Sequence, residues 1–380
     1  MRVLFDYQAF CSQNYGGVSN SFVKLISNMP DGVECKIALH ECDNIHLKES
    51  GLLDFGPMED LADNFLFNHH FVGQGFLYRR YSELLPSKTS LGRNRLCSVQ
   101  ELKKGEFDVF HPTYFDDYFL RYLNRKPFVL TVHDMIPELF FSKLDSQVRR
   151  KPLLCQKASH IIAVSNKTKQ DLIDILNVPE EKITVIYHGA PDFVLEENSM
   201  PIMEGRYILY VGQRNSYKCF YPMMRSLALV LKRHKDLKIV CTGPNFSEKE
   251  KSCMKKLGVY NQLIHLRVND KDLQNLYTHA LCFIYPSMYE GFGIPILEAY
   301  RAHCPVLLNQ ASCFPEIAQD AAIYFNLDQN SSNLDVIIEK FLTLSPKERG
   351  ILINKQNLRL QFFSWRKSAQ ELKNVYESLV

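Results

Sequence analysis

Short apolar runs alternate along the chain with longer stretches in which apolar residues recur every three or four positions. Residues 3–7 form the first run, and apolar residues then recur at helical spacing from Val18 to Met29. A short apolar run followed by a stretch of helical period predicts a buried strand and then a helix. The repeated alternation therefore predicts an α/β protein built from parallel β-α-β units.

The pattern occurs twice, with a break in the middle of the chain. Residues 188–203 mix glycine, proline and acidic residues without any period, which is typical of a linker. We predict an N-terminal domain at residues 1–190, a linker at 191–203, a C-terminal domain at 204–362 and a closing helix at 363–380. Further strands are predicted at residues 128–132, 161–164, 183–187, 206–211, 237–241, 281–285 and 306–308, and helices at 220–234, 273–280 and 295–303.

Composition narrows the class of protein without naming a function. The 380 residues are 46% hydrophobic, which is enough for packed cores and argues against disorder. The 45 basic residues nearly balance the 42 acidic ones, so the chain does not resemble a protein that binds nucleic-acid backbones. We find neither an apolar run long enough to span a membrane nor the layout of a signal peptide. The eleven cysteines include no C-x-x-C pair, which favours reduced thiols in a cytoplasmic protein.

Positive charge is concentrated in two stretches of the first half. Residues 71–104 contain seven Lys or Arg against two acids, and residues 143–169 contain seven against one. These residues could simply line solvated helix faces. They could also form a basic face for a phosphate-bearing acceptor or for peripheral contact with an anionic membrane. The sequence does not decide between the two.

Two glycine-containing loops are candidates for phosphate binding. Gly16 and Gly17 lie between the first strand and the first helix, where backbone N–H groups can approach an anion. Gly212 follows the first strand of the second half, and Arg214 and Lys218 stand four residues apart beyond it. Both cations could reach one anion. The alternatives are a plain tight turn and an exposed pair of cations.

The most informative segment is the loop after residues 281–285. Glu290 falls in a glycine-rich loop, Pro295 is suited to the first turn of a helix, and Glu298 lies about one turn into that helix. Carboxylates accept hydrogen bonds from vicinal hydroxyls, and loop N–H groups bind phosphates. The pair therefore predicts a ligand with both groups, whereas surface acids on a capped helix are the simpler alternative.

At this point the sequence resembles the retaining glycosyltransferases of family 4, which have the GT-B fold. The resemblance rests on the Glu290–Glu298 spacing, written E-x7-E, within residues 285–299 (YPSMYEGFGIPILEA). It covers nearly the whole chain and is weak over residues 40–105. Other matching blocks, in order, are residues 15–18, 131–137, 160–165, 185–189, 212–218, 242–244, 314–316 and 363–365.

The resemblance implies both a fold and an activity. The fold would be two Rossmann-like domains whose parallel sheets face each other across a cleft, with the C-terminal helix crossing back to the N-terminal domain. The activity would be transfer of a mannose- or glucose-type hexose from a GDP- or UDP-hexose donor to a glycan or lipid-linked acceptor, in surface polysaccharide biosynthesis. No metal or other cofactor is expected, and retention would follow from front-face attack without an enzyme nucleophile.

The resemblance also implies roles for individual residues. Glu298 would bind the ribose hydroxyls, Glu290 the donor hexose, and the two cations the diphosphate. His133 would lie near the sugar. His111 ends a predicted strand and would either face the same cleft or be an ordinary polar histidine at the end of the strand. The implied catalytic set is His133, Arg214, Lys218 and Glu290. The implied donor-binding set is Gly16, Gly17, Gly212, Val268, Gly291, Phe292, Gly293, Ile294 and Glu298.

Other functions on a related fold remain open. A non-catalytic nucleotide-sugar binding protein or an epimerase could use the same residues. A dinucleotide-dependent oxidoreductase is disfavoured, because G-x-G-x-x-G follows neither of the two initial strands. One departure from the family pattern is Cys219, which stands where family members frequently have Asn.

Overall fold

A computed structural model of the chain describes residues 1–12, 14–58, 73–194, 199–214, 216–327 and 332–380. These residues fall into two compact units. Unit 1 contains residues 1–164, 168–188 and 365–380, and unit 2 contains residues 165–167 and 189–364. Residues 71 and 72 of the first basic stretch and residues 195–198 of the predicted linker lie outside the described residues. The domain limits predicted above stay predictions.

The strands are short and fall at most of the predicted apolar runs. They are β1 Arg2–Phe5, β2 Glu34–Ile37, β3 Val109–His111, β4 Val129–Val132, β5 His160–Ala163, β6 Ile183–Val185, β7 Tyr207–Tyr210, β8 Lys238–Cys241, β9 Leu263–His265, β10 Cys282–Tyr285, β11 Val306–Asn309 and β12 Ile323–Phe325.

Helices connect the strands. They are α1 Gln8–Ser12, α2 Gly17–Ser27, α3 Ile45–Ser50, α4 Gln74–Leu84, α5 Ser90–Lys104, α6 Ile136–Phe140, α7 Ser146–Lys157, α8 Asn166–Leu176, α9 Phe220–Arg233, α10 Glu248–Leu257, α11 Asp270–His279, α12 Ile294–Arg301, α13 Phe314–Ala318, α14 Leu334–Leu342, α15 Pro346–Leu360 and α16 Trp365–Glu377. None of these helices is both long and apolar enough to cross a bilayer.

Unit 1 is built on parallel strands. The described strands form two ladders, β2-β1-β3 and β4-β5-β6, and every pair in them is parallel. A parallel bridge between Phe110 and Phe128 joins β3 to the residue that precedes β4. The strand order is therefore β2-β1-β3-β4-β5-β6. Strands β1, β3 and β4 are almost entirely buried, as expected for parallel strands covered on both faces.

Helix α16 completes unit 1 from the far end of the chain. It packs against α2, and the Tyr376 hydroxyl lies 2.6 Å from Nδ1 of His111 at the end of β3. Trp365 begins the helix, and its ring lies 5.5 Å from the His188 ring. The predicted return of the C-terminal helix to the N-terminal half is confirmed.

Unit 2 contains a six-stranded parallel sheet among its described residues, in the order β9-β8-β7-β10-β11-β12. The chain proceeds outward from β7 through β8 to β9, then returns to the other side of β7 for β10, β11 and β12. This is the doubly wound order of a dinucleotide-binding fold, and it makes the junction of β7 and β10 a topological switch point. Helix α9 covers the sheet with Met223, Leu227 and Leu231, all buried in one core with Ile239 and Ile284.

Three strands were not predicted from the sequence, namely β2, β9 and β12. Each lies at an edge of its sheet. Most of their residues are partly or fully exposed. Polar residues interrupt β2 and end β9, whereas β12 is a short apolar run, Ile-Tyr-Phe, that was not predicted.

Candidate functional site

The predicted donor-binding residues of unit 2 cluster where two central strands end. Gly212, Arg214 and Lys218 follow β7, and Glu290 to Gly293 follow β10. Because β7 and β10 are parallel neighbours, both loops leave the sheet at the same edge. The Met288 amide donates a hydrogen bond of 2.8 Å to the Tyr217 carbonyl and joins the two loops directly. A crevice at this edge of a doubly wound sheet is where such folds bind ligands.

Lys218 and Glu290 form an ion pair between these two loops. The Lys218 Nζ lies 2.5 Å from Glu290 Oε1, and both side chains are largely buried. The ammonium also lies 5.5 Å from the centre of the Tyr285 ring. The structure therefore brings together a cation and a carboxylate that stand 72 residues apart in the sequence.

The loop that carries Glu290 is held by side chains of unit 2. The Ser312 hydroxyl donates to the Glu290 carbonyl at 2.7 Å and accepts from the Glu290 amide at 3.2 Å. The Ser165 hydroxyl donates to the Gly291 carbonyl at 2.6 Å, and the Cys313 thiol to the Phe292 carbonyl at 3.2 Å. These bonds fix the course of the loop, so its N–H groups have defined directions.

Helix α12 begins directly after this loop. Gly293 stands at the N-cap with φ of 92°, a left-handed conformation that favours glycine, and Pro295 lies in the first turn after Ile294. Glu298 follows about one turn into the helix, where the Tyr277 hydroxyl donates to its Oε2 at 3.2 Å. Burial of the carboxyl raises the pKa of Glu298 to about 7; the Tyr277 hydrogen bond opposes that rise and the Asp270 charge adds to it.

Arg214 is anchored rather than exposed. Its Nε lies 2.5 Å from Glu250 Oε1, and its Nη2 donates to the carbonyls of Pro244 and Asn245 at 2.6 and 3.0 Å. The guanidinium stacks 4.8 Å from the centre of the Phe246 ring. Its remaining Nη1 is buried and has no hydrogen-bond partner among the described residues. This nitrogen is a donor available to an anion.

Gly212 and Val268 are the remaining predicted residues of unit 2. Gly212 has φ of 113°, and a Cβ placed on the neighbouring Gly243 would lie 2.6 Å from the Gly212 carbonyl oxygen. The loops after β7 and β8 therefore pass each other backbone to backbone. Val268 lies in the loop between β9 and α11, one residue before the Asn269 cap of that helix.

Gly16 and Gly17 lie at the start of α2 in unit 1. Gly16 is the N-cap residue with extended backbone, and Gly17 is the first helical residue. The Ser19 and Ser21 hydroxyls bond the carbonyls of Gly16 and Gly17 at 3.0 and 2.7 Å. As predicted, the pair lies between β1 and the N-terminus of a helix, here α2. The short helix α1 also lies between β1 and the pair.

His133 directly follows β4 and lies in a stack of aromatic rings. It is nearly parallel to His188, with ring centres 5.6 Å apart, and it meets the edge of Phe22 at 5.8 Å. Burial and the nearby Lys151 charge lower the pKa of His133 to about 4, so the ring is neutral at physiological pH. Its Nε2 is buried without a hydrogen-bond partner among the described residues.

His111 belongs to the core rather than to an open face. Its two ring nitrogens lie 2.6 Å from the Tyr376 hydroxyl and 2.9 Å from the Thr131 hydroxyl. Burial lowers its pKa to about 3. The structure thus supports the second alternative, an ordinary histidine at the end of a strand, here buried as a link to α16.

Much of the charge in the two basic stretches is already paired. Salt bridges of 2.9 Å or less join Arg80 to Glu83, Arg93 to Glu41, Lys104 to Glu101, Arg150 to Asp116 and Lys151 to Glu138. Lys151 is fully buried. The excess of positive charge counted along the sequence therefore overstates the charge that these stretches present.

Sequence reasoning missed the partners that position the site. Tyr277, Glu250 and Ser312 were not predicted to contribute. The pattern Ser247-x-x-Glu250 could have indicated the start of α10, where the structure shows a capping box. It could not have indicated that the second carboxylate oxygen of Glu250 bonds Arg214.

Comparison with known proteins agrees with this architecture. A family model described as Glycosyltransferase Family 4 matches residues 16–192, and one described as Glycosyl transferases group 1 matches residues 196–357. The uncharacterized glycosyltransferase MJ1607 of Methanocaldococcus jannaschii is 24% identical over 72% of this chain and 75% of its own length. The O-antigen chain mannosyltransferase RfbU of Salmonella typhimurium is 28% identical over 53% of this chain and 58% of its own.

Solved structures agree on the fold. The crystal structure of HepE from Anabaena, in complex with UDP and glucose, superposes with a TM-score of 0.71 and 18% identity over the full length of both chains. The two family models together span nearly all of the sequence. The chain belongs to the group 1, family 4 glycosyltransferases, with the GT-B fold.

Proposed function

We propose that this protein transfers a hexose of mannose or glucose type, with retention of configuration, from a nucleotide diphosphate sugar to a glycan or a lipid-linked acceptor. The proposal places the donor in the crevice at the ends of β7 and β10. A role in surface polysaccharide biosynthesis is part of the proposal, since RfbU is an O-antigen chain mannosyltransferase.

One observation carries the proposal. Four charged side chains from separate segments lie at the edge where the strands end, at the topological switch point of the sheet. They are the carboxylates of Glu290 and Glu298 and the cations of Lys218 and Arg214. The hydroxyl groups of a ligand need hydrogen-bond acceptors, and its phosphates need cations. This edge of the sheet provides both. Glu298 would accept from the ribose hydroxyls and Glu290 from the hexose.

The cations would act on the diphosphate as it leaves. Lys218 would exchange part of its contact with Glu290 for phosphate oxygens, and Arg214 would donate from Nη1, the nitrogen without a partner among the described residues. Stabilising negative charge that grows in the transition state accelerates the chemical step. The leaving phosphate would itself help to take the acceptor proton, so no separate enzyme base is required. Attack of the acceptor on the front face of the sugar would retain configuration without an enzyme nucleophile.

The donor is proposed as a class rather than as one compound. HepE is described with UDP-glucose and RfbU as a mannosyltransferase, so both UDP-glucose and GDP-mannose are candidates. Thermal-shift screening against UDP- and GDP-sugars would distinguish them, because a bound ligand raises the melting temperature.

Transfer assays on purified variants test the site. Lys218→Ala and Glu298→Gln should lower transfer from the preferred donor by about a hundredfold or more, while the melting temperature stays within a few degrees of the wild type. Lys235→Ala, which changes an exposed lysine of the same unit, is the matched control and should keep full activity. Full activity of Lys218→Ala would refute the assignment of this site.

The same assays separate transfer from mere binding. A non-catalytic nucleotide-sugar binding protein would show the donor-induced thermal shift but neither transfer nor slow donor hydrolysis. An epimerase would convert the donor without acceptor. Either result would replace the proposed function.

A further inference from the structure

Two cysteines of unit 1 lie beside each other although they are far apart in the sequence. Cys11 is near the end of α1, and Cys42 follows β2. The Cys42 thiol donates a hydrogen bond of 3.2 Å to the carbonyl of Phe10, the residue before Cys11. The Cys11 thiol in turn lies 3.9 Å from the carbonyl oxygen of Glu41, the residue before Cys42. Each thiol therefore lies against the backbone that carries the other.

The two thiols also interact with each other and differ in acidity. Their mutual hydrogen bond lowers the pKa of Cys42 and raises the pKa of Cys11, and it is the largest influence on each. The Asn44 amide donates a second hydrogen bond to the Cys42 sulfur, at 3.2 Å. Hydrogen-bond donors favour the thiolate, which is the reactive form of cysteine. Cys42 is therefore the more readily ionised of the two, and Cys11 is in contact with it.

Solvent reaches the pair on the side of Cys11. Both thiols are free, and the Cys11 side chain is partly exposed, whereas Cys42 is buried. A small oxidant can therefore arrive beside Cys11. Reversible disulfides form where an easily ionised thiol lies next to a second one. The buried thiols of Cys241 and Cys282 in unit 2 contrast with this pair, because burial raises the pKa of each.

The thiol pair is connected to Gly16 and Gly17 at the start of α2, which we call the glycine pair. The Asn44 side chain donates to the Ser19 hydroxyl at 2.9 Å, and this hydroxyl donates to the Gly16 carbonyl at 3.0 Å. The segment that carries Cys42 thus supports the glycine pair through two consecutive hydrogen bonds. A displacement of this segment would be transmitted to the backbone proposed to approach the donor diphosphate.

We propose that Cys11 and Cys42 form a reversible disulfide in the presence of a peroxide, and that this disulfide displaces the glycine pair and weakens donor binding. The Cys42 thiolate attacks one oxygen of hydrogen peroxide, the O–O bond breaks, and the displaced hydroxide takes up a proton to become water. The Cys11 sulfur then attacks the sulfenic sulfur of Cys42, the S–O bond breaks, and the hydroxyl group leaves as water with the Cys11 proton. The two sulfurs together lose the two electrons that the peroxide gains.

Formation of the bond must move the backbone around it. A disulfide holds its sulfurs about 2.05 Å apart, much closer than a hydrogen bond does. The hydrogen bond from Cys42 to the Phe10 carbonyl is also lost, because neither sulfur keeps a proton. Either α1, which precedes the glycine pair in the chain, or residues 42–44, which support it through Ser19, must shift. The effect on donor binding rests on the proposed function, whereas the formation of the disulfide does not.

Mass spectrometry of the full chain tests the disulfide. After brief treatment with hydrogen peroxide, the wild type should lose about 2 Da, and a proteolytic digest should yield one crosslinked pair of peptides, containing Cys11 and Cys42. Dithiothreitol should restore the original mass. Cys11→Ser should abolish the crosslink, and Cys253→Ser, which changes a partly exposed cysteine of unit 2, is the matched control and should keep it. A different crosslink, or a sulfinic acid as the main product, would overturn the inference.

Amide hydrogen exchange tests the displacement of the glycine pair without any nucleotide. Exchange of residues 17–21 should become several times faster in the oxidised wild type and return to its former rate after reduction. Cys11→Ser should exchange at the same rate before and after peroxide. Equal exchange in the reduced and oxidised wild type would overturn the proposed displacement.

Calorimetry with UDP and GDP tests the effect on the donor site. The nucleotide that binds the reduced wild type should bind the oxidised protein about fivefold or more weakly, and dithiothreitol should restore its affinity. Equal affinity in both states would overturn the coupling between the thiol pair and the donor site. If the reduced protein binds neither nucleotide, the proposed function fails, whereas the mass spectra and the hydrogen exchange still decide the disulfide and the displacement.

Discussion

At the scale of single residues, the clearest feature is that neighbours set the state of Glu298. Its carboxyl accepts one hydrogen bond from Tyr277 and lies within the electrostatic reach of Asp270, and burial brings its pKa to about 7. The proposed contact with the ribose hydroxyls uses the carboxylate as an acceptor. The acid therefore titrates in the range in which enzymes are normally assayed.

Nucleotide affinity should accordingly depend on pH. Below pH 7 Glu298 is mostly protonated and above pH 7 mostly ionised, so the affinity for UDP or GDP should rise between pH 6 and pH 8 and then level off. Isothermal titration calorimetry across this range measures the effect. Glu298→Gln binds more weakly and should lack the rise, whereas an unchanged pH profile in that variant would assign the titration to another group.

Tyr277 should act as a positioning residue for this carboxylate. Tyr277→Phe removes the hydrogen bond that favours the charged form, so the midpoint of the affinity profile should move to higher pH. Affinity at pH 7 should fall severalfold and recover by about pH 9. Tyr300→Phe is the control, because Tyr300 lies on the same helix as Glu298 and its buried hydroxyl has no partner among the described residues. A uniform loss at every pH would indicate a packing defect instead.

Residue spacing could predict which side chains reach the site but not their partners. The positions of Glu290, Glu298 and Lys218 at the carboxyl edge of the sheet could be predicted because loop and helix positions follow from local sequence. The Arg214–Glu250 pair joins residues that lie 36 positions apart, which only the order of the strands brings together. At Cys219 the structure instead gives a local reason for the choice of residue. Its φ of 52° lies in the left-handed region. That region favours Asn as well as Gly, so the backbone at this position would suit the asparagine that the family resemblance leads us to expect.

At the scale of elements, the central strands were predicted, whereas the edge strands β2, β9 and β12 were missed and β6 was the edge strand that was predicted. A central parallel strand such as β10 is buried on both faces and reads as an apolar run. An edge strand such as β2, with the sequence Glu-Cys-Lys-Ile, is half exposed and carries no such signal. What distinguishes it is its pairing with β1, which is set by tertiary structure.

The attachment of α16 to unit 1 can be tested at its hydrogen bond with His111. Tyr376→Phe leaves a buried ring nitrogen without its partner, which should lower the free energy of unfolding of unit 1 by about 1–3 kcal/mol. Urea denaturation followed by tryptophan fluorescence suits the measurement, since Trp365, the single tryptophan of the chain, lies in the same helix. Tyr122→Phe, in the same unit, should change little. Equal losses in both variants would argue against a special role for this bond.

At the scale of the whole molecule, both units bury ionisable side chains. Unit 1 buries three imidazoles, those of His111, His133 and His188, and burial lowers the pKa of each well below its usual 6.5. Carboxyls are buried in both units, Asp6 in unit 1 and Glu298 in unit 2, and burial raises the pKa of each. The GT-B assignment could be made from sequence motifs, but these pKa shifts follow from burial and could not.

Unit 1 should lose stability as the solution becomes acidic. Well above pH 6.5 all three histidines are neutral in both the folded and the unfolded state. As the pH falls from 6.5 towards 4, the unfolded chain takes up protons that the folded unit refuses, so the free energy of unfolding decreases. Tryptophan fluorescence during urea titrations at pH 7, 6 and 5 measures this slope. His188→Gln should flatten it, and His303→Gln, which changes an exposed histidine of unit 2, should not. Equal slopes in wild type and His188→Gln would contradict the prediction.

The return of α16 to unit 1 has a consequence for the order in which the protein can fold on the ribosome. Domains usually fold as they emerge during synthesis, N-terminal ones first. Here almost all of unit 2 comes from the continuous stretch 189–364, whereas unit 1 needs residues 365–380. Until α16 emerges, His111 and the α2 face lack their partners. Unit 1 therefore remains incomplete while unit 2 is synthesised. It is the unit that we expect a chaperone to bind during synthesis.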